Sequence, residues 1–186
     1  MNTIIVNAAV FQIGWLCCVL ASASHLPWLG TLTALLIVAW HIGHAPRPRN
    51  ELLLILSAGM IGAFWDSLLV YAGWLQYPSG TLIEGTAPHW IIAMWMLFAT
   101  TLNVSLRWLK ERLLLATALG AIAGPAACFA GYKLGAVQIP EVTTAMTALA
   151  LGWAVLMPLL MILANRLDGT RYQASRSIIT GCDARV

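Results

Sequence analysis

Charge is the scarce ingredient of this chain. Only 9% of its 186 residues are Asp, Glu, Lys or Arg, while 60% are hydrophobic. Soluble domains carry about 25% charged residues. One core of this size could not hide so much apolar side chain, which excludes a soluble domain. A disordered chain, low in hydrophobicity and high in charge, is excluded too. Cysteine is scarce as well. Cys17, Cys18, Cys128 and Cys182 contain no CxxC pair, so neither a zinc site nor a disulfide framework is legible. They read as small apolar residues. Period-two alternation is missing from Leu52-Leu53-Leu54-Ile55-Leu56 and from Leu113-Leu114-Leu115, which argues against a transmembrane barrel.

What is present is apolar length. A spanning helix needs about 20 apolar residues. The first charge is Arg47, and the run before it is long enough for two spans, broken at Ser22-Ala23-Ser24-His25-Leu26-Pro27. The sequence predicts an all-α bundle of six transmembrane helices in one domain, 1–165. The spans fall at about 3–20, 28–44, 51–75, 88–105, 113–131 and 141–164, followed by a basic tail, 166–186. Ala21-Ser22-Ala23 has the small-x-small look of a signal cleavage site. Met1-Asn2-Thr3 has no basic residue, however, and Asn7 and Gln12 interrupt the apolar run, so an uncleaved first span is expected. With six spans, Arg47, Arg49, Arg107, Lys110, Arg112, Arg166, Arg171, Arg176 and Arg185 share one side, and Lys133 lies on the other. Basic residues stay cytoplasmic, so both termini are expected there, in a multi-pass protein of the bacterial inner membrane. The net charge of +3 is this topological signal and implies no nucleic-acid partner. Trp28, Trp74, Trp90 and Trp108 mark span ends as an aromatic belt. Helices 1–3 and 4–6 share no motif in register.

Each polar residue inside an apolar span needs a reason. Asp66 leads. Gly59, Gly62, Ala63 and Gly73 share its helical face, and small residues admit a neighbouring helix, so Asp66 is expected to face protein. It is either a functional carboxylate or a structural staple. Helical spacing puts His89, Met96, Thr100, Asn103 and Arg107 on one stripe of helix 4. Depth arithmetic places Asp66 about 14 Å and Gln12 about 12 Å below the periplasmic end, with Asn7 and Asn103 deeper, at about 20 Å and 22 Å. That predicts two polar layers: Asp66 with Gln12 and Thr100, then Asn7 with Asn103. His89 reads as interfacial. His41 and His44, three apart, have only Glu51 to complete a metal site, so they too read as interfacial, and no metal or cofactor is expected. Gly120, Gly124 and Gly131 form a close-packing face on helix 5, for an intramolecular seam or a homodimer.

Three stretches carry a resemblance: Asn7-x4-Gln12-x2-Trp15, Trp65-Asp66-Ser67, and PHWIIAMWMLFATTLNVSLRW from Pro88 to Trp108. Together they resemble a family of small proteobacterial inner-membrane proteins, catalogued as domain of unknown function number two thousand eight hundred and seventy-eight, over roughly residues 1–165. The resemblance implies no assigned activity. It implies a gene neighbourhood of cyclopropane-fatty-acid-synthase-like methyltransferases and flavin-dependent oxidoreductases, hence membrane-lipid modification or envelope stress. The preferred expectation is a non-enzymatic accessory or scaffold protein, with membrane lipids and a lipid-modifying enzyme as partners. The alternatives are a small proton-coupled or lipid carrier using Asp66, and an intramembrane enzyme acting on acyl chains through Asp66 and His89. Those two residues lie about 12 Å apart in depth, which counts against the enzyme.

Overall fold

A computed structural model describes residues 2–170. Six α-helices make up most of them: α1 Asn2–Ala23, α2 Pro27–His44, α3 Pro48–Tyr71, α4 His89–Leu102, α5 Leu113–Lys133 and α6 Val142–Arg166. Four are long and apolar enough to cross a membrane: α1 from Thr3, α3, α5 and α6. The fourth helix is shorter than the expected 88–105. It ends at Leu102 and gives way to turns and a 3-10 segment, Arg107–Leu109. The tail expected beyond Arg166 lies outside the described residues from Arg171 onward, as does Cys182.

Local signals set the helix boundaries. Pro27 and Pro48 open α2 and α3, where a missing N–H costs nothing. Glu141 caps α6 by accepting from the Thr143 and Thr144 amides. The odd-numbered helices end alike. His25, Gly73 and Gly135 adopt φ of 59°, 73° and 86°. The following residue then donates back, as Leu26 to Ala21, Trp74 to Leu69 and Ala136 to Gly131. This is the Schellman closure, and its left-handed residue is usually glycine.

The chain therefore runs as three hairpins, α1–α2, α3–α4 and α5–α6. The short α4 is the central helix, packed by α1, α2, α3 and α6. No residue from Thr86 through Arg107 is exposed, as expected of a helix apolar all round. The outer helices instead present large apolar side chains, among them Met60, Phe64, Leu114, Ile122, Leu151 and Val155. A soluble monomer rarely leaves so much apolar surface open, whereas lipid covers it without cost.

The linkers gather at two ends. At one end Ser22 meets Ser79, and Gln76 and Gln138 exchange both backbone hydrogen bonds. At the other end Arg47, Glu51, Asn103 and Arg107 meet Leu167–Thr170. The four residues after α6 thus fold back onto the bundle, where the sequence predicted only a basic tail.

The second and third hairpins repeat one design. Gly73-Trp74-Leu75-Gln76-Tyr77-Pro78 and Gly135-Ala136-Val137-Gln138-Ile139-Pro140 share G-x-x-Q-x-P. Gly62 of α3 seats Trp95 of α4, and Gly124 of α5 seats Trp153 of α6. Both glycines stand at the same distance before their motif. Trp95 and Trp153 then stack on each other, 4.7 Å between centroids and 10° from parallel. The repeat relates helices 3–4 to 5–6, so helices 1–3 and 4–6 share no motif in register.

Candidate functional site

Asp66 is buried between α3 and α4. Trp95 donates its indole N–H to Oδ2 at 2.7 Å, and Tyr77 donates its hydroxyl to Oδ1 at 2.9 Å. Tyr77 lies just beyond the Schellman turn of α3, so the turn aims it back at the helix. Asp66 faces protein, as expected, but its partner on another helix is Trp95, and neither Gln12 nor Thr100 bonds to it. Trp95 does more than pack. Its indole N–H is a donor without acceptor capacity, and at this depth it needs an acceptor. In the third hairpin the matching positions are Cys128 and Ile139, so the Asp66–Tyr77 pair is where the repeats diverge.

The other predicted polar residues separate. The Asn7 side chain donates to the Thr100 carbonyl and accepts from the Ser105 amide. The Thr100 hydroxyl bonds to Leu97 one turn back. Asn103 lies at the far end of the bundle. His89 caps the opposite end, with Nδ1 at 2.6 Å from the Thr31 hydroxyl and its ring stacked on Trp28 at 3.8 Å. Gln12 lies on the exposed face of α1 with no hydrogen-bond partner among the described residues.

The densest polar cluster joins Glu51 and His41, which the sequence offered only as an incomplete metal site, to residues remote in the chain. Glu51, fully buried in the first turns of α3, receives the Asn103 side chain at 2.6 Å and the Gly169 amide at 3.0 Å on Oε1. Its Oε2 pairs with His41 Nε2 at 2.9 Å. Beside it, Asp168 accepts from Arg107 at 2.8 and 3.0 Å, and from Lys110 at 3.0 Å. Burial pushes the Asp168 carboxyl up. Hydrogen bonds from Lys110 and Thr170, and the charges of Lys110 and Arg107, outweigh burial and hold it below the usual carboxylate range. His41 and His44 do not converge on a metal. His41 is committed to Glu51, and His44 bonds to the Trp40 carbonyl. Among the described residues, no group of three or more His, Cys, Asp or Glu is placed to hold a metal ion. A cavity of about 250 Å³ opens beside this cluster, bordered by Asn7, Trp40, His41, His44 and Thr170.

A larger cavity lies within the apolar layer. α1 packs on α2 and α4, and α5 packs on α6. Between α1 and α5 runs a cleft of about 520 Å³. Phe11, Gln12 and Trp15 form one wall, Ala123 and Ala127 the other, and Trp95, Phe98 and Trp153 the floor. Leu106 and Leu109 line the end near the basic linker. Asp66 does not line the cleft; its partner Trp95 does. Gly120 and Gly124 of the small-residue face are occupied by Trp153 and Met157 of α6, and Gly131 lies by Val137.

The family described as protein of unknown function (DUF2878) matches residues 4–159 of the chain. No curated protein and no solved structure matches it.

Proposed function

The chain belongs to the DUF2878 family, and from that premise we propose a lipid-binding accessory protein of the bacterial inner membrane, crossing it six times with both termini cytoplasmic. The observation that carries the proposal is the cleft between α1 and the α5–α6 hairpin. It is apolar, aromatic-floored, and of the size that takes a small ligand, about 300–1,000 Å³. It lies at the depth of lipid tails, so the ligand it suits is an apolar chain or ring drawn from the bilayer.

The topology is supported by where the cations lie. Arg47, Arg49, Arg107, Lys110, Arg112 and Arg166 collect at one end of the bundle, and Lys133 closes α5 at the other. The polar geometry supports a non-enzymatic role. Both oxygens of Asp66 are engaged by neutral donors, which suits a staple between α3 and α4 better than a proton carrier or a general base. Asp66 and His89 also have separate partners, so they form no acid–base pair.

Lipid capture tests the reading. The full chain, purified in a mild detergent and examined by native mass spectrometry, is expected to retain an apolar lipid. Ala123→Phe, which fills the cleft from its α5 wall, is expected to release it while the chain stays folded. Equal retention by both proteins would defeat the proposal.

A further inference from the structure

Gln12 is out of place in the cleft. It sits near the middle of α1, about 15 Å from either end, on an exposed face, and without a hydrogen-bond partner among the described residues. A primary amide left unpaired in hydrocarbon costs several kcal/mol by transfer data. Every other intramembrane side chain foreseen as polar is partnered: Asp66, Asn7 and Thr100 all have bonds within the bundle. A partner for Gln12 comes from outside the described residues, at mid-bilayer depth.

The walls around Gln12 restrict that partner's shape. Phe11, Trp15 and Phe98 line the slot, Trp95 and Trp153 floor it with their faces already taken by Gly62, Gly124 and each other, and across from them Ala123 and Ala127 keep α5 low. A slot between aromatic side chains and a small-residue wall suits a flat ring, which can stack on them or meet their edges. An amide on its rim suits a ring carbonyl, to which Gln12 can donate.

We propose that the cleft binds an isoprenoid-quinone-like lipid, with its ring between the aromatic wall and α5, one carbonyl on the Gln12 amide, and its apolar tail leaving toward the bilayer. This rests on the lipid-binding reading and narrows it from any apolar chain to a ring bearing carbonyl groups. It asks for binding only, with no redox step.

The test uses the full chain in phospholipid nanodiscs, titrated with a short-chain benzoquinone while tryptophan emission is followed. Saturable quenching is expected, and Gln12→Leu should weaken it about tenfold, the equivalent of one hydrogen bond. Leucine at a lipid-facing position leaves folding intact, which an unchanged thermal midpoint would verify. Quenching that rises linearly without saturation means partition into the bilayer and overturns the inference. If brominated-chain phosphatidylcholine quenches the wild type more than Ala123→Phe but the quinone does not saturate, the ring inference falls and the lipid cleft stands. If neither probe distinguishes the cleft, both fall. If Gln12→Leu turns a dimer into a monomer and leaves the quinone titration unchanged, the amide serves a second copy of the chain, and the inference is again overturned.

Discussion

Trp95 gives its indole N–H to Asp66 and its face to Trp153, so one side chain ties α3, α4 and α6 together. The hydrogen bond is 2.7 Å and the stack 4.7 Å. Trp95→Phe keeps a ring on Gly62 but removes the donor. A buried acceptor that loses its partner costs about 1–3 kcal/mol. The variant is expected to unfold several degrees lower in a detergent thermal-shift assay, and Trp95→Phe combined with Asp66→Leu should be less damaging than the two separate losses predict.

Asp66→Asn separates staple from carrier. The amide can accept from Trp95 through its oxygen and donate to the Tyr77 oxygen through its nitrogen. Both contacts survive, so stability within about 1 kcal/mol of the wild type is expected. Asp66→Ala strands both donors and should cost at least about 2 kcal/mol. A functional assay in cells in which Asp66→Asn behaves as wild type would support the staple. Normal assembly with function lost would favour a titrating carboxylate instead.

Much of this architecture was legible in the sequence. Apolar run lengths announce helices, because a chain with so little charge has few other ways to satisfy its backbone in lipid. The small-residue face beside Asp66 was also legible: Gly59 and Gly62 seat Met96 and Trp95 of α4. The partners of Asp66 were not. Depth arithmetic assumes that each helix starts and stops at the membrane surface, whereas α4 has 14 residues and α3 has 24. Levels counted from helix ends therefore drift by several turns. The burial of Glu51 was not legible for another reason. A carboxylate in the first turn of α3, next to Arg47 and Arg49, looks solvated until Asn103 and Gly169, remote in the chain, close over it.

Leu167–Thr170, the strap that Asp168 ties to Arg107 and Lys110, gives a pH prediction. Its carboxyl is held below the ordinary value in the folded protein, so the unfolded chain binds the proton more readily. The stabilisation is present above about pH 4 and is lost as pH falls through the folded value. Arg107, Lys110 and Glu51 face the same strap. Hydrogen exchange at Gly169 and Thr170, corrected for the intrinsic rate, is expected to quicken below about pH 4. Asp168→Asn should exchange quickly at every pH. A pH-independent wild type would refute the strap's charge dependence.

Topology yields to reporter fusions. Fusions after Arg49, Lys110 and Asn165 should report cytoplasm, and fusions at Gly80 and Gly135 should report periplasm. The positive-inside bias is the motive. A periplasmic signal after Lys110 would remove at least one of the six crossings.

The glycines of the repeat give the sharpest packing prediction. A Cβ built on Gly62 would lie 2.0 Å from Trp95 Cγ, and one on Gly124 would lie 2.2 Å from Trp153 Cγ. Neither ring can yield alone, since the two indoles rest on each other. Gly62→Ala and Gly124→Ala should each cost about 1–3 kcal/mol, the usual range for overpacking. Either substitution pushes on the same stack, so the double variant should fall short of the sum by about 0.5 kcal/mol or more. Gly43 is the control. Nothing lies within 4 Å of its added Cβ, and alanine there should leave stability unchanged or raise it by up to about 1 kcal/mol through helix propensity. Strict additivity of Gly62→Ala and Gly124→Ala would mean that the indole stack does not couple the two hairpins.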